Sequence, residues 1–140
     1  MPNLRIETNV SAEAIKDLNT CLAELSKAVS ETTGKPEQYV VVQVVPGLPM
    51  MFAGSDGPCA SAFFMSIGKI GPEENKVRGE RKYLTSPDID CHYQAHAAAV
   101  YPIVEKYLGI PGDRMYILFH DAAYHEVAWK GSTFAALFGK

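Results

Sequence analysis

Residues 34–41 read GKPEQYVV and residues 109–116 read GIPGDRMY, and these two stretches decide the fold. Each begins with a glycine that ends a helix, continues with a proline that keeps the helix from resuming, and leads through polar residues into a strand. Each also follows an amphipathic helix that is itself preceded by an apolar strand. The chain is therefore predicted to form two β-α-β units in tandem, with parallel strands inside each unit.

Two such units side by side predict an α+β fold, in which a four-stranded mixed sheet carries both helices on one face. The other face of the sheet would then be bare. The residues assigned to that face are apolar: Ala60, Phe63 or Phe64, Val41 and Val44. Since no segment of the chain remains to cover them, we expect self-association to bury this face.

Hydrophobic periodicity predicts the elements around the two stretches. Leu4 and Ile6 alternate with polar residues and indicate a first strand. A helix is expected from Ser11 as its N-cap to Gly34. Its apolar stripe recurs at three- and four-residue steps: Ile15, Leu18, Leu22, Leu25 and Val29. Further strands are expected at residues 39–45, 59–67 and 115–120, with an extended segment at 125–129.

A second helix is expected to begin with Ser86 as its cap and Pro87 as its first residue. Its apolar stripe consists of Tyr93, Ala97, Val100, Val104 and Tyr107. Pro102 lies inside the stripe and predicts a kink or a break. The charged segment before this helix, at about residues 72–85, is interpreted as a solvated insert. The tail at residues 136–140 carries no clear pattern.

Composition narrows the class of protein. A chain of 140 residues with 47% apolar and 21% charged residues is typical of one globular domain, here residues 1–140. A net charge of −3 argues against nucleic acid or an anionic membrane as a partner. Three cysteines without a Cys-x-x-Cys pair indicate reduced thiols in a cytoplasmic protein. No signal peptide opens the chain, so we expect any secreted form to leave the cell without one.

Pro2, at the amino terminus, is a candidate general base. Trimming of Met1, which a small second residue permits, would leave Pro2 with a free secondary amine. Burial or a nearby cation lowers the pKa of such an amine and makes it a base near neutral pH. If Met1 is retained, the same nitrogen belongs to an amide and cannot act as a base. Proline is also an ordinary second residue, so Pro2 alone does not decide its role.

Short motifs follow one another in a fixed order along nearly the whole chain. They are Pro2 with Thr8-Asn9-Val10, Gly34-Lys35-Pro36 with Gln38-Tyr39, Pro58-Cys59-Ala60, residues 66–71 (SIGKIG), Asp113-Arg114 with Tyr116-Ile117, and Trp129 with residues 132–135 (STFA). As an ordered set they resemble the macrophage migration inhibitory factor family, which includes D-dopachrome tautomerase. The charged insert and the tail lie outside this resemblance.

The resemblance implies a homotrimer whose three sheets line a central channel. It also implies a keto–enol tautomerase that needs no metal or cofactor and acts on aromatic α-keto acids such as phenylpyruvate, or on dopachrome-like compounds. In this family the amino-terminal proline is the base, a role that falls on Pro2. The lysine that binds the substrate carboxylate and lowers the pKa of the proline falls on Lys35.

Further roles implied by the resemblance concern substrate binding. The Ser66–Ile67 segment anchors substrate through the backbone N–H of Ile67, and Tyr116 closes the pocket from the neighbouring subunit. Rim positions that hold aromatic rings fall on Tyr39, Val127, Trp129 and Phe134.

The chain departs from the family pattern at several positions. Leu118 stands where the human member has a substrate-contacting asparagine, so we expect an altered substrate preference or weaker turnover. Met65 replaces a histidine beside Ser66. Ala62 stands where the family has the second thiol of a Cys-x-x-Cys motif, so thiol redox activity is not expected at Cys59.

Three functions are compatible with the sequence: a tautomerase, a secreted cytokine-like factor that binds a cell-surface receptor and keeps a vestigial pocket, and a purely structural trimer. Leu118 favours the second, whereas Pro2 with Lys35 favours the first. His92 and His96, next to Cys91, have the four-residue spacing of metal ligands on a helix, but we expect a solvated helix face there and no metal site.

Overall fold

The structure is a computed structural model that describes residues 1–68 and 87–140, and in the second range it describes side chains from His92 onward. The strands are β1 (Asn3–Thr8), β2 (Val41–Val45), β3 (Ala60–Ile67), β4 (Met115–Ala122), β5 (Ala128–Trp129) and β6 (Ser132–Thr133). The α-helices are α1 (Leu18–Thr33), α2 (Pro87–Leu108) and α3 (Phe134–Phe138). The predicted insert and the predicted cap Ser86 lie outside the described residues.

The four long strands form one sheet in the order β2-β1-β3-β4. Strand β1 runs parallel to β2 and β3 runs parallel to β4, while β1 and β3, the central pair, are antiparallel. Leu4 illustrates the register, since it is paired with Val42 on one side and with Phe64 on the other. The predicted mixed sheet of two β-α-β units is confirmed.

One face of the sheet is covered by α1 and α2, and the core lies between them. Leu4 of β1 and Phe64 of β3 are fully buried there, together with Leu25 and Val29 of α1 and Val104 of α2. Successive side chains of a strand point to opposite faces. Every second residue of β1 and β3 therefore enters this core, and the residues between them form the other face.

The second face of the sheet is exposed in the single chain. Phe63, Tyr116 and Leu118 are 46%, 68% and 58% exposed, and all three belong to it. Phe63 and Leu118 are paired across β3 and β4, so these large side chains lie side by side. An apolar patch of this kind on a soluble protein marks a surface that another molecule covers.

The expected residues of the bare face were wrong in part. Ala60 is buried beneath the helices, and Val44 packs against the same core. Phe63, not Phe64, is the exposed member of the phenylalanine pair. The cause is that β2 and β3 are nearly continuous apolar runs, which lack the polar alternation that would assign each residue to a face.

Helix α1 begins later than expected, because Asp17 and not Ser11 is its N-cap. The Asp17 carboxylate accepts hydrogen bonds from the Thr20 backbone N–H at 3.2 Å and from the Thr20 hydroxyl at 2.6 Å. Ser11 precedes a short 3-10 turn, Ala12–Ala14, and makes no side-chain cap bond. The helix ends as expected, at Gly34 with a left-handed φ of 64°, which glycine adopts without steric cost.

The remaining elements differ from the expectations in four places. The extended segment expected at 125–129 begins in a turn, and only Ala128–Trp129 forms a strand, β5. Helix α2 starts at Pro87 and continues through Pro102 to Leu108, so the break considered at Pro102 does not occur. Tyr39, expected to begin a strand, is the last residue of a 3-10 turn, Glu37–Tyr39, and the strand begins at Val41. The tail, in which no pattern was seen, contains α3.

Candidate active site

A cavity of about 380 Å³ opens beside the amino terminus of the chain. It is lined by residues from both ends of the sequence, from the turn after α1, from the end of β3 and from the loop after β4: Met1, Lys35, Pro36, Tyr39, Ile67, Tyr124, Phe134, Phe138 and Lys140. Most of these residues are apolar or aromatic, and among the described lining residues none carries a carboxylate side chain. The cavity therefore has an apolar wall and a positive charge.

Strand β1 holds the amino terminus in place. Pro2 is fully buried, and its carbonyl accepts a hydrogen bond from the Val41 N–H at 3.0 Å, which continues the pairing of β1 with β2. The amine of Met1 has a pKa below its ordinary value, first because it is partly buried and second because Lys35 is close. Removal of Met1 would place the new amine one residue, about 3.8 Å, further along the same strand.

Lys35 reaches this cavity because α1 ends two residues earlier, at Thr33. Gly34 turns the chain with its left-handed conformation, and the Lys35 carbonyl then accepts a hydrogen bond from the Ser30 hydroxyl at 2.7 Å. The backbone of Lys35 is thus fixed to the last turns of α1, while the side chain lines the cavity. A cation held there disfavours protonation of the neighbouring amine.

A row of aromatic rings forms one wall of the site. Tyr39 meets Trp129 edge to face at a centroid distance of 5.9 Å. Trp129 stacks on Phe134 at 6.3 Å, and Phe134 stacks on Phe138 at 5.5 Å. Val127 packs against the same cluster. These contacts join the turn after α1 to the β5–β6 hairpin and to α3.

Helix α3 has only five residues, and its start is held by hydrogen bonds from outside the helix. The Phe134 N–H donates to the Val127 carbonyl at 2.9 Å, and the Ala135 N–H donates to the Tyr124 carbonyl at 3.0 Å. Thr133 caps the helix by accepting from the Ala136 N–H at 3.2 Å. These bonds satisfy N–H groups that a helix start leaves without a partner inside the helix.

The structure brings together most of the predicted site residues. Lys35, Tyr39, Ile67 and Phe134 line the cavity together with Met1, which precedes Pro2. Val127 and Trp129 pack in the cluster behind it. Ser66 is fully buried and is not among the lining residues, since its side chain points to the opposite face of β3 from Ile67.

Tyr116 and Leu118 do not reach the cavity of their own chain. Both lie on the exposed face of β4, and Tyr116 contacts Phe52 at a ring-centroid distance of 4.9 Å. The loop that carries Phe52 is fastened by Arg114, whose guanidinium donates to the carbonyls of Pro58 at 2.9 Å and Gly57 at 3.1 Å. Within one chain, this end of the sheet is a separate region.

Three residues of the cavity were not found from the sequence, and two of them are Phe138 and Lys140. Both belong to the tail. A signal was present: Thr133 and Gly139 are an N-cap residue and a C-terminal glycine that bracket a short apolar run. Tyr124, from the loop after β4, was also missed, and nothing in its sequence context distinguishes it.

The histidines of α2 and the cysteine of α1 are explained by packing or by exposure on the surface. His96 is fully buried and packs edge to face on Phe64 at 4.9 Å, whereas His92 is exposed. In the part of the chain that the structure describes, no three potential ligands gather into a metal site. Burial, and then Glu24, raise the pKa of the Cys21 thiol to about 11, so it is a packing residue of α1.

None of the helices within residues 1–68 and 87–140 combines the length and the apolar character that crossing a bilayer requires.

Comparison with known proteins identifies close relatives over most of the chain. A model of the macrophage migration inhibitory factor family matches residues 1–85 and 90–135. Macrophage migration inhibitory factor of Xenopus laevis is 36% identical over 135 residues, which cover 96% of this chain and 100% of that protein. A macrophage migration inhibitory factor homolog of Brugia malayi is 34% identical over 134 residues, covering 96% of this chain and 99% of that protein.

Solved structures agree with this relationship. The macrophage migration inhibitory factor homologue of Prochlorococcus marinus has a TM-score of 0.77 at 32% identity, and the match covers 94% of this chain and 98% of that chain. The macrophage migration inhibitory factor of Trichinella spiralis has a TM-score of 0.76 at 28% identity, with the same coverage of 94% and 98%.

Proposed function

The chain belongs to the macrophage migration inhibitory factor family, and on that premise we propose that it is a cofactor-free keto–enol tautomerase with the amine of Pro2 as its general base. The proposed substrates are small aromatic α-keto acids such as phenylpyruvate, or dopachrome-like compounds. The observation that carries the proposal is that the terminal amine and Lys35 meet at one cavity with apolar walls, where the pKa of the amine is lowered.

The proposed reaction moves one proton within the substrate. The Pro2 amine, unprotonated because burial and Lys35 act on it as they act on the amine of Met1, removes a proton from the carbon next to the carbonyl. Charge then develops on the carbonyl oxygen, which receives the proton as the enol forms. Substrate and product have the same atoms, so no external oxidant, reductant or metal is needed. The reverse sequence returns the keto form.

Lys35 has two proposed tasks in this reaction. Its ammonium pairs with the substrate carboxylate and places the neighbouring carbon beside the base. The same charge keeps the amine of the free enzyme unprotonated. The ring of the substrate then lies against Tyr39 and Phe134, where apolar contact excludes water and strengthens both electrostatic interactions. The backbone N–H of Ile67 and the adjoining Ser66 segment are proposed to anchor the substrate.

A homotrimer completes the proposed site. The exposed face of the sheet offers the apolar area that association requires, and it carries Tyr116 and Leu118. In the assembly these residues come from the neighbouring subunit and close a pocket whose base and cation belong to the first. Because Leu118 supplies an apolar surface in place of an amide, the proposed pocket favours rings without polar substituents near that side.

A second candidate function is a receptor-binding, cytokine-like activity with weak tautomerase turnover. The observation in its favour is Leu118, which cannot make the polar substrate contact that an asparagine would make. The two functions are compatible, because a receptor surface and a catalytic pocket need not share residues. A cytoplasmic location, or secretion without a signal peptide, is proposed with it.

Tautomerisation of phenylpyruvate by Met1-trimmed protein tests the proposal. An amino-terminal mass measurement first establishes that Met1 is absent, and a Pro2→Gly variant serves as the comparison. We expect the variant to lose most of its turnover while its circular dichroism is unchanged, since glycine supplies a less basic and less rigid amine. Equal rates for the two proteins would remove Pro2 from the mechanism.

A further inference from the structure

The carboxyl-terminal tail places a second lysine at the cavity. Gly139 ends α3 with a left-handed φ of 66°, and the N–H groups of Gly139 and Lys140 both donate to the Ala135 carbonyl, the latter at 3.0 Å. This turn directs Lys140 back toward the loop after β4. Its ammonium lies 4.9 Å from the centre of the Tyr124 ring and 3.4 Å from the Tyr124 hydroxyl.

Lys140 and Tyr124 both line the same cavity as Lys35. The carboxylate of an α-keto acid requires one cation, and Lys35 supplies it in the proposed reaction. Among the described residues that line the cavity, no side chain is a carboxylate, and the one carboxylate carried by Lys140 is that of its own backbone terminus. Lys140 is therefore a positive charge at the site for which the proposed reaction has no task.

In the sequence, the aromatic row begins shortly after Lys35 and ends shortly before Lys140. Tyr39, four residues after Lys35, begins the series of ring contacts that passes through Trp129 and Phe134 to Phe138, two residues before Lys140. Lys35 is close enough to the terminal amine to lower its pKa, an effect second to burial. One cation is thus near the terminal amine, and the other lies beside Tyr124 at the same cavity.

We propose that Lys140 and Tyr124 form a second anion subsite, so that the cavity selects aromatic α-keto acids that carry an additional anionic group at the far end of the ring. The inference rests on the proposed tautomerase function and names its substrate class. The α-carboxylate pairs with Lys35, the ring lies along the aromatic row, and the distal anion accepts hydrogen bonds from the Lys140 ammonium and the Tyr124 hydroxyl.

Binding of two inert ligands tests this subsite without turnover. Cinnamate carries one carboxylate on an aromatic frame, and 4-carboxycinnamate adds a second carboxylate at the far end of the ring. The dissociation constants of both are measured by calorimetry on the Met1-trimmed full chain. We expect the dicarboxylate to bind more tightly, and we expect added salt to reduce its advantage because the distal contact is solvent-exposed.

Single substitutions then show which residues produce the preference for the dicarboxylate. Lys140→Gln should reduce the preference for the dicarboxylate about three- to fivefold, the range of an exposed charge pair, and Tyr124→Phe should reduce it less. Lys27→Gln is the matched control, since Lys27 is an exposed lysine of α1 away from the cavity, and it should leave the ratio of the two constants as in the wild type. An unchanged ratio in Lys140→Gln, or tighter binding of cinnamate by the wild type, would overturn the subsite.

The same measurements separate this inference from the proposed function. Failure of trimmed protein to tautomerise phenylpyruvate, with the ligand preference intact and lost in Lys140→Gln, rejects the reaction and supports the subsite. Turnover that depends on Pro2, with no preference for the second carboxylate, supports the reaction and rejects the subsite.

Discussion

The two faces of the sheet are built from the same strands and have opposite roles. On β3, Phe64 is fully buried under the helices while its neighbour Phe63 is 46% exposed. On β1, Leu4 and Ile6 are fully buried while Arg5 between them is exposed. The helix-covered face holds the single chain together, whereas the exposed face offers an apolar surface to other chains. Alternating residues of one strand therefore serve the core of the chain and the interface that we propose.

The largest expected effect separates the two phenylalanines. Phe64→Ala should lower the free energy of unfolding by about 3–5 kcal/mol, because it removes a fully buried ring and leaves a cavity in the core. Phe63→Ala should lower the free energy of unfolding of the dissociated chain by about 1 kcal/mol or less. Urea unfolding followed by circular dichroism measures both. Similar losses for the two variants at low protein concentration would contradict the assignment of faces.

The next effect concerns assembly. Leu118→Asp places a charge in the middle of the exposed apolar face, so we expect the protein to sediment as a monomer while its circular dichroism is retained. Met51→Asp is the control, because Met51 is an apolar residue of similar exposure, 68% against 58% for Leu118, that lies outside the sheet. Sedimentation of the Leu118 variant as the same oligomer as the wild type would show that this face is not the interface.

The cavity lies where the buried amino terminus meets the turn after α1. We expect the pH dependence of turnover at this cavity to change when the charge of Lys35 is removed. In the proposed reaction the free amine of Pro2 is the active form, so turnover should rise as the pH passes the pKa of that amine, which burial and Lys35 are expected to lower as they lower the pKa of the Met1 amine. Lys35→Gln removes the nearby cation, the pKa rises toward its ordinary value, and the acidic limb of the rate profile moves to higher pH. Rates measured across pH, with Lys27→Gln for comparison, test the direction; a limb that stays in place or moves to lower pH contradicts it.

The smallest expected effect is at the end of the sheet opposite the cavity. Arg114→Lys keeps the charge but loses the planar guanidinium that donates to the carbonyls of Pro58 and Gly57. We expect the free energy of unfolding to fall by about 1–2 kcal/mol. Arg5→Lys, on the exposed face with a single partner in Glu7, should change stability little. Thermal unfolding of the two variants measures the difference, and equal midpoints would remove the proposed fastening role of Arg114.

The overall fold was predictable because the two β-α-β units share the same local sequence pattern. Glycine and proline at residues 34–36 and 109–111 mark where each helix stops, and those signals depend on local backbone geometry alone. The start of α1 was not predictable in the same way. Ser11 and Asp17 are both acceptable caps by residue type, and the choice is made by tertiary packing of the segment between them.

Residues of the site were predictable only where they belong to the sequence motifs that resemble the family. Lys35, Ile67 and Phe134 follow from the resemblance and line the cavity. Lys140 lies in a tail too short for helical periodicity to be visible, so only its three-dimensional placement reveals it. Tyr116 occupies a surface remote from the cavity of its own chain, so a single chain does not bring the two together.

The cavity is bounded by both Met1 and Lys140. An affinity tag fused before Met1 would prevent its removal and keep the Pro2 nitrogen, which the proposed reaction needs as a free amine, in an amide; a tag fused after Lys140 would extend from the cavity wall beside Tyr124. Purification without a tag, or with one that a protease removes back to Pro2, is therefore the condition under which rates and ligand affinities describe the protein and not its label.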